Sequence, residues 1–315
     1  MSIQKVISVV NHPLEPLTGE EIKSAVKILK EKQMLKESVR FGTVVLKEPT
    51  KKVVLNYKIG DPIVREAFIV VLDNESEQAY EAVVSITNEE VVSWEHKHGV
   101  QPGIMLDEFE EVEKVVKDCP KFQEALLKRG ITDADLVMVD PWSTGHFGIK
   151  EDEGKRLARA ICWVRKFPTD NGYAYPLTGI VVYVDLNKMK VHRFEDHGIR
   201  PIPPTDANYT PETSDSITPR NDLKPLDIIQ PEGPSFEIDG HNIKWQKWDI
   251  RFSFTPREGL VLHTVGYEDK GKTRPILYRL HCLKWLFHML TAVLPIILKM
   301  HLMLVNMVWD NWQTH

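Results

Sequence analysis

Cysteine is scarce: three in 315 residues, at Cys119, Cys162 and Cys282, odd in number and far apart. That excludes a disulfide-stapled scaffold and reads as free thiols in a reducing compartment. A basic excess is missing too. Lys and Arg total 40 against 45 Asp and Glu, for a net charge of −5 and a pI of about 6.2. With no Lys/Arg-rich run and no zinc-finger spacing, a nucleic-acid partner is not expected. Met1 to Val10 carries one lysine and a short apolar stretch, without the long apolar segment or cleavage site of a secretory leader. The expectation is an intracellular protein, cytoplasmic or peroxisomal. There is no glycine-rich phosphate loop and no nucleophile elbow.

What is present is ordinary for a globular chain. Hydrophobic residues make up 42% and charged residues 27%, enough apolar content for a packed core. The length suggests two or three domains.

After an N-terminal tail over 1–10, residues 11–98 read as a helix followed by strands. His12-Pro13-Leu14 and Pro16 give an extended lead-in. Thr18 and Glu21 have the spacing of a capping box, and Ile22, Ala25, Val26 and Leu29 recur at helical spacing behind it. Strands are expected at 41–46, 53–57, 67–72 and 80–86, with Asp73-Asn74-Glu75-Ser76 as a hairpin turn. Residues 99–200 repeat that order without repeating the sequence. Phe109, Val112, Val115 and Val116 line one helix face, Asp118-Cys119-Pro120 stops it, and a second helix runs to Gly130. Strands are expected at 136–139, 159–165, 179–185 and 190–194. Residues 201–232 hold seven prolines among polar residues and read as an extended linker. From Ser235 the pattern is purely β: Ile250, Phe252 and Phe254 alternate with polar neighbours, like the opening strands of a β-sandwich. The expected fold class is α+β.

Candidate chemistry is thin. Glu95-His96-Lys97-His98 places two imidazoles at i, i+2, on one face of a strand, a spacing suited to a metal but with no third ligand nearby. The plainer reading is a polar interdomain stretch. His192, Glu195, Asp196 and His197 form either a site at a strand end or, more simply, a solvated turn. Glu258 and His263 flank Gly259 without a nucleophile to activate.

A family resemblance begins at Asp140-Pro141-Trp142-Ser143-Thr144-Gly145 and Gly154-Lys155-Arg156-Leu157. It firms up at Gln230-Pro231-Glu232-Gly233-Pro234-Ser235-Phe236. Trp245, Trp248, the stretch from Arg257-Glu258-Gly259 to His263, and Arg274-Pro275-Ile276-Leu277-Tyr278-Arg279 complete it. In order and spacing these resemble the copper-containing primary-amine oxidases, and His12-Pro13-Leu14 resembles the family's usual start. The similarity runs over roughly residues 11–280.

The resemblance implies two small cystatin-like helix-on-antiparallel-sheet domains, at 11–98 and 99–200. After the linker, it implies the opening strands of a large catalytic β-sandwich at 233–280. It further implies a homodimer that oxidises a primary amine with O2 and water to an aldehyde, ammonia and hydrogen peroxide. The cofactors implied are copper held by three histidines and topaquinone made from a tyrosine, with an aspartate taking the α-proton. No metal ligand, cofactor residue or catalytic residue of the family can be carried onto this chain, and His96 and His98 lie in the wrong domain for the copper motif. The chain as given is therefore expected to bind neither cofactor and to be inactive. The one residue carried over is Trp142, expected to line the substrate channel; buried packing is the alternative.

Beyond Leu280 the resemblance stops. Where the family has a run like Ser-Leu-Ser-Glu-Met-Val-Val-Pro-Tyr, this chain reads His281-Cys282-Leu283-Lys284-Trp285-Leu286-Phe287-His288-Met289. Codons for that segment, read one nucleotide earlier, permit the family's run. The same offset on residues 300–309 permits Asn-Ala-Phe-Asp-Val-Gly-Glu-Tyr-Gly-Leu, the segment that carries the catalytic aspartate. A single lost base near the Leu280 codon is the expected cause, leaving 281–315 out of frame. A membrane anchor is the rival reading, since 283–308 is apolar and long enough. Lys284, His288, Pro295, Lys299 and His301 interrupt it, and central charges are costly in lipid, so membrane attachment is not expected. A rival of another class is a non-catalytic α+β binding module, tail-anchored or pairing with a full-length oxidase.

Overall fold

The structure, a computed structural model, describes residues 10–281 apart from 146, 174, 203, 205–207, 210, 211, 215 and 216. The apolar tail and Cys282 thus lie outside the described residues.

The first unit lays one helix on a four-stranded antiparallel sheet. Its elements are α1 (Gly19–Gln33), β1 (Val39–Leu46), α2 (Lys51–Asn56), β2 (Glu66–Asp73), β3 (Gln78–Ser85) and β4 (Glu90–Lys97), and the sheet order is β1-β2-β3-β4. The capping box that starts α1 is formed. The Thr18 hydroxyl accepts from the Glu21 N–H at 3.2 Å, and the Glu21 carboxylate accepts from the Thr18 N–H at 2.8 Å. Ala25 and Leu29, one helical turn apart, bury against Ala67, Ile69, Val71, Ala82 and Val84. Burying side chains of the size of Leu29 and Ile69 contributes roughly 1.5–3 kcal/mol each.

The second unit repeats the layering with two helices, α3 (Leu106–Lys117) and α4 (Pro120–Lys128), on β5 (Val137–Ser143), β6 (Leu157–Val164), β7 (Ile180–Asp185) and β8 (Lys190–Asp196), in the order β5-β6-β7-β8. Val112, Val116, Phe122 and Leu126 from the helices meet Val139, Cys162, Val182 and Val184 from the sheet. Pro120 opens α4 at a position where its missing N–H costs nothing.

After the linker, β9 (Phe236–Asp239), β10 (Asn242–Trp245), β11 (Trp248–Thr255), β12 (Gly259–Asp269) and β13 (Lys272–His281) make one antiparallel meander. Val261 and Val265 are buried, whereas Ile238, Phe254 and Ile276 stand exposed. The fold is α+β with the first sheet of a sandwich.

Ion pairs join the units. Arg40 on β1 reaches Asp107 and Glu111 of α3, each at 2.8 Å, and Lys188 in the β7–β8 turn reaches Glu77 in the β2–β3 turn at 3.0 Å.

Four local expectations need correction. Residues 53–57, expected as a strand, fall mostly in α2. The ladder of β1 with β2 runs to Leu46↔Ala67, and the segment between the two strands coils into a short helix that buries only Val54. Strand β4 is longer than a polar interdomain stretch would be; it pairs with β3 throughout, across a bulge at Val83/Val84 that breaks its alternation. Strand β5 runs past 139 through Pro141, which is tolerated because β5 is an edge. Phe109, expected on the inner face of its helix, is 39% exposed, and the side chain enclosed there is Glu108, at 0%.

Candidate functional residues and the ion pairs that position them

Glu108 is buried because Arg156 meets it. Arg156 Nη2 donates to Glu108 Oε2 at 2.6 Å and Nη1 donates to Oε1. The same guanidinium donates to the carbonyls of Pro102 and Gly103, and Glu108 Oε2 accepts from the Met105 N–H at the helix start. The first unit has the matching device. Arg65 donates to both oxygens of Glu21, at 2.7 and 3.0 Å, and to the carbonyls of Glu15 and Pro16. In both, a glutamate at the third helical position caps its own helix and pairs with an arginine just before the second strand of the sheet. Burial alone would raise the Glu21 carboxyl, but the Arg65 and Thr18 hydrogen bonds outweigh it and hold it below the usual range. Capping-box spacing signals the first pair. Helix α3 has Met105, not a capping residue type, at its N-cap, and no signal in the sequence marks Arg156 as the partner of Glu108.

Trp142 sits near the end of edge strand β5, opposite Arg159 of β6, and is 51% exposed. Val137, Val139 and Pro141 of β5 turn inward, so Met138, Asp140 and Trp142 share the sheet's outer face. Tyr173 donates its phenol to Asp140 Oδ2 at 3.1 Å and packs edge-on against Trp163, with ring centroids 5.1 Å apart. The Asp140 carboxylate raises the Tyr173 phenol above its ordinary value. Trp142 is therefore an exposed indole on an aromatic sheet face.

The candidates around His197 are engaged in charge pairs. His192 and Arg193 both meet Asp152, Glu195 pairs with Arg193 and His197, and Asp196 pairs with Arg129 at 2.6 Å. Arg193 bridges Asp152 and Glu195, so His192, Glu195 and His197 belong to one charge network, while Asp196 turns away to Arg129. His263 is 2% exposed with Nε2 2.9 Å from Ser253 Oγ, and burial lowers its pKa. Glu258 turns instead to Thr255 and Arg279. Burial pushes the Cys162 thiol up to about 12, which makes it unreactive. His96 and His98 lie with ring centroids 3.9 Å apart.

A second set of ion pairs, unseen in the sequence, joins the first unit to the third sheet. Glu15 meets His241 and Arg251, and Glu48 meets Arg279 at 3.0 Å. His12 lies close by, its Nδ1 accepting from the Leu14 N–H at 3.1 Å, and burial together with the charges of Arg251 and His263 lowers its pKa from 6.5 to about 4.

Among the described residues no group of three or more His, Cys, Asp or Glu side chains is placed to hold a metal ion, so the three-histidine copper set that the resemblance implies is not found among them. Among the same residues no helix is long and apolar enough to cross a membrane.

Two helix-on-sheet units in tandem, ending in an antiparallel meander, define a multidomain α+β protein with the start of a larger β-domain. Three profiles match in that order: the AGAO-like N2 domain over 18–94, the copper amine oxidase N3 domain over 107–213, and the copper amine oxidase enzyme domain over 237–288. A primary amine oxidase of Arthrobacter sp. (strain P1) is 44% identical over 271 residues, covering 86% of this chain and 41% of that protein. A peroxisomal copper-containing diamine oxidase of Nicotiana tabacum is 39% identical, covering 85% and 39%. The crystal structure of a copper-containing benzylamine oxidase from Hansenula polymorpha shares the fold, with a TM-score of 0.69 at 23% identity over 86% of this chain and 44% of that one. The chain belongs to the copper amine oxidase family. It spans about two-fifths of the length of the curated relatives it matches.

Proposed function

We propose that this chain is the N-terminal part of a primary-amine oxidase. The whole protein converts a primary amine, O2 and water to an aldehyde, ammonia and hydrogen peroxide with copper and topaquinone, which lie beyond the described residues. The observation that carries this is the succession of three matched domains of one family in the family's order. In this reading the two helix-on-sheet units flank the catalytic sandwich. Trp142, exposed at the end of an edge strand, lines the approach of the amine. Homodimerisation and a location inside the cell, cytoplasmic or peroxisomal, belong to the same proposal. One bacterial relative is named a copper methylamine oxidase and two tobacco relatives are named peroxisomal.

The proposal includes a one-base loss near the Leu280 codon, and the chain as it stands is inactive. The test is to sequence the locus and transcript across that codon, restore the base, and assay the product for copper- and amine-dependent hydrogen peroxide. Release of peroxide from a methylamine or diamine substrate by the restored protein, and none from the chain as given, is the expected result. A transcript that keeps the printed frame, or a restored product without activity, would refute the proposal.

A further inference from the structure

We infer that His96 and His98 form a two-imidazole chelate for a late first-row divalent transition-metal ion. His96 leaves the face of edge strand β4 that also carries Trp94 and, across the ladder, Tyr80, and His98, just past the strand's end, brings its ring alongside. Their centroids are 3.9 Å apart and inclined by 54°. A metal at ~2.1 Å from one nitrogen of each ring needs centroids ~4.5–5.5 Å apart, so a parting of the rings by about an ångström admits it.

Most of the other described histidines already have a competing partner. His12, His192, His197, His241 and His263 each have a hydrogen-bonding group on a ring nitrogen. Neither His96 nor His98 has a hydrogen bond or ion pair among the described residues. The charged neighbours on the opposite face are occupied with each other: Lys97 bridges Glu95 at 2.6 Å and Glu81 at 3.2 Å. No carboxylate or thiol among the described residues joins the two rings, which leaves the remaining coordination positions to water. His96 is also braced. Tyr80 lies 5.2 Å from it and stacks on Trp94 at 4.4 Å with the planes 12° apart. Half-buried His96 is thereby held in place, while exposed His98 closes on it. A site of two imidazole nitrogens plus water favours Cu2+ over Ni2+ and Zn2+.

The experiment is a titration of the full chain with Cu2+ alone, followed calorimetrically and by the nitrogen hyperfine pattern of the bound ion. The expected result is one equivalent bound through two nitrogens. In His96→Gln/His98→Gln, binding should weaken by more than the roughly 10–100-fold that loss of a supporting partner costs. His98→Gln alone, at an exposed position past the end of the strand, should lose one nitrogen from the pattern without disturbing the fold. His197→Gln should change nothing. Retention of full affinity by the double variant, or no uptake by the unaltered chain, overturns the inference.

Discussion

Arg156 and Glu108 form a doubly hydrogen-bonded ion pair inside the second helix-on-sheet unit, 48 positions apart in sequence and both nearly inaccessible to solvent. Arg65 and Glu21 repeat the relationship in the first unit, at a separation of 44. Each arginine ties the helix start to the second strand and satisfies two carbonyls of the lead-in, so it fixes the angle at which the helix lies on its sheet.

Loss of one partner strands a buried charge. Glu108→Gln or Arg156→Met should therefore lower the unfolding free energy by about 3–5 kcal/mol, whereas the joint change Glu108→Leu/Arg156→Met should cost clearly less than the two combined. Urea unfolding of the three variants checks this. Simple additivity would mean that the pair is not a unit.

Gly179 and Gly154 separate steric from conformational cost. Both have positive φ, at 84° and 72°, but a Cβ on Gly179 would lie 2.3 Å from the Gly198 carbonyl oxygen, while one on Gly154 would meet nothing within 4 Å. Gly154→Ala should cost about 1–2 kcal/mol from φ alone, and Gly179→Ala distinctly more. Thermal unfolding of the two variants decides; equal costs would show that the Gly198 loop yields.

His12 makes the contact between the first unit and the third sheet sensitive to acid. Its pKa falls from 6.5 to about 4 in the folded chain, so unfolding takes up a proton between those values. The contribution of His12 is complete above pH 6.5 and is lost as pH falls toward 4. His263, lowered in the same direction, adds to the trend. His12→Asn should flatten stability against pH in that window. An unchanged slope would assign the acid sensitivity elsewhere.

Among the described residues the third sheet has two unpaired edges, β9 and β13, and displays Ile238, Phe254 and Ile276. Unpaired edges beside exposed apolar side chains favour self-association. A chain ending near residue 200 should therefore be more soluble than the full chain in a side-by-side expression and sedimentation test. Equal solubility would count against that account.

Trp142 is half exposed, so truncating it should cost little stability. In the frame-restored oxidase, Trp142→Ala is expected to raise KM for the amine more than it lowers kcat. A loss of thermal stability with KM unchanged would make it a packing residue.

Much of the local structure was legible in the sequence. Helix α1 announces itself through Thr18, Glu21 and the Ala25–Leu29 spacing, because a capping box and a 3.6-residue apolar period are short-range signals. Strands β2 and β3 are equally plain, since they alternate or run apolar between clear turn residues. Residues 53–57 misled because an apolar β-branched run fits either state, and in the structure most of it coils into the short helix α2 between the paired strands β1 and β2. Family membership could be read from ordered motifs, but their physical roles could not. Tertiary structure alone decided that Arg156 of the Gly154-Lys155-Arg156-Leu157 motif encloses Glu108, that Asp196 pairs with Arg129 while His192, Glu195 and His197 are linked through Asp152 and Arg193, and that His12 lies beside Arg251. Each depends on residues tens to hundreds of positions apart being brought together. The free energy that holds such groups comes from desolvation and pairing at their meeting point, a quantity with no local trace in the chain.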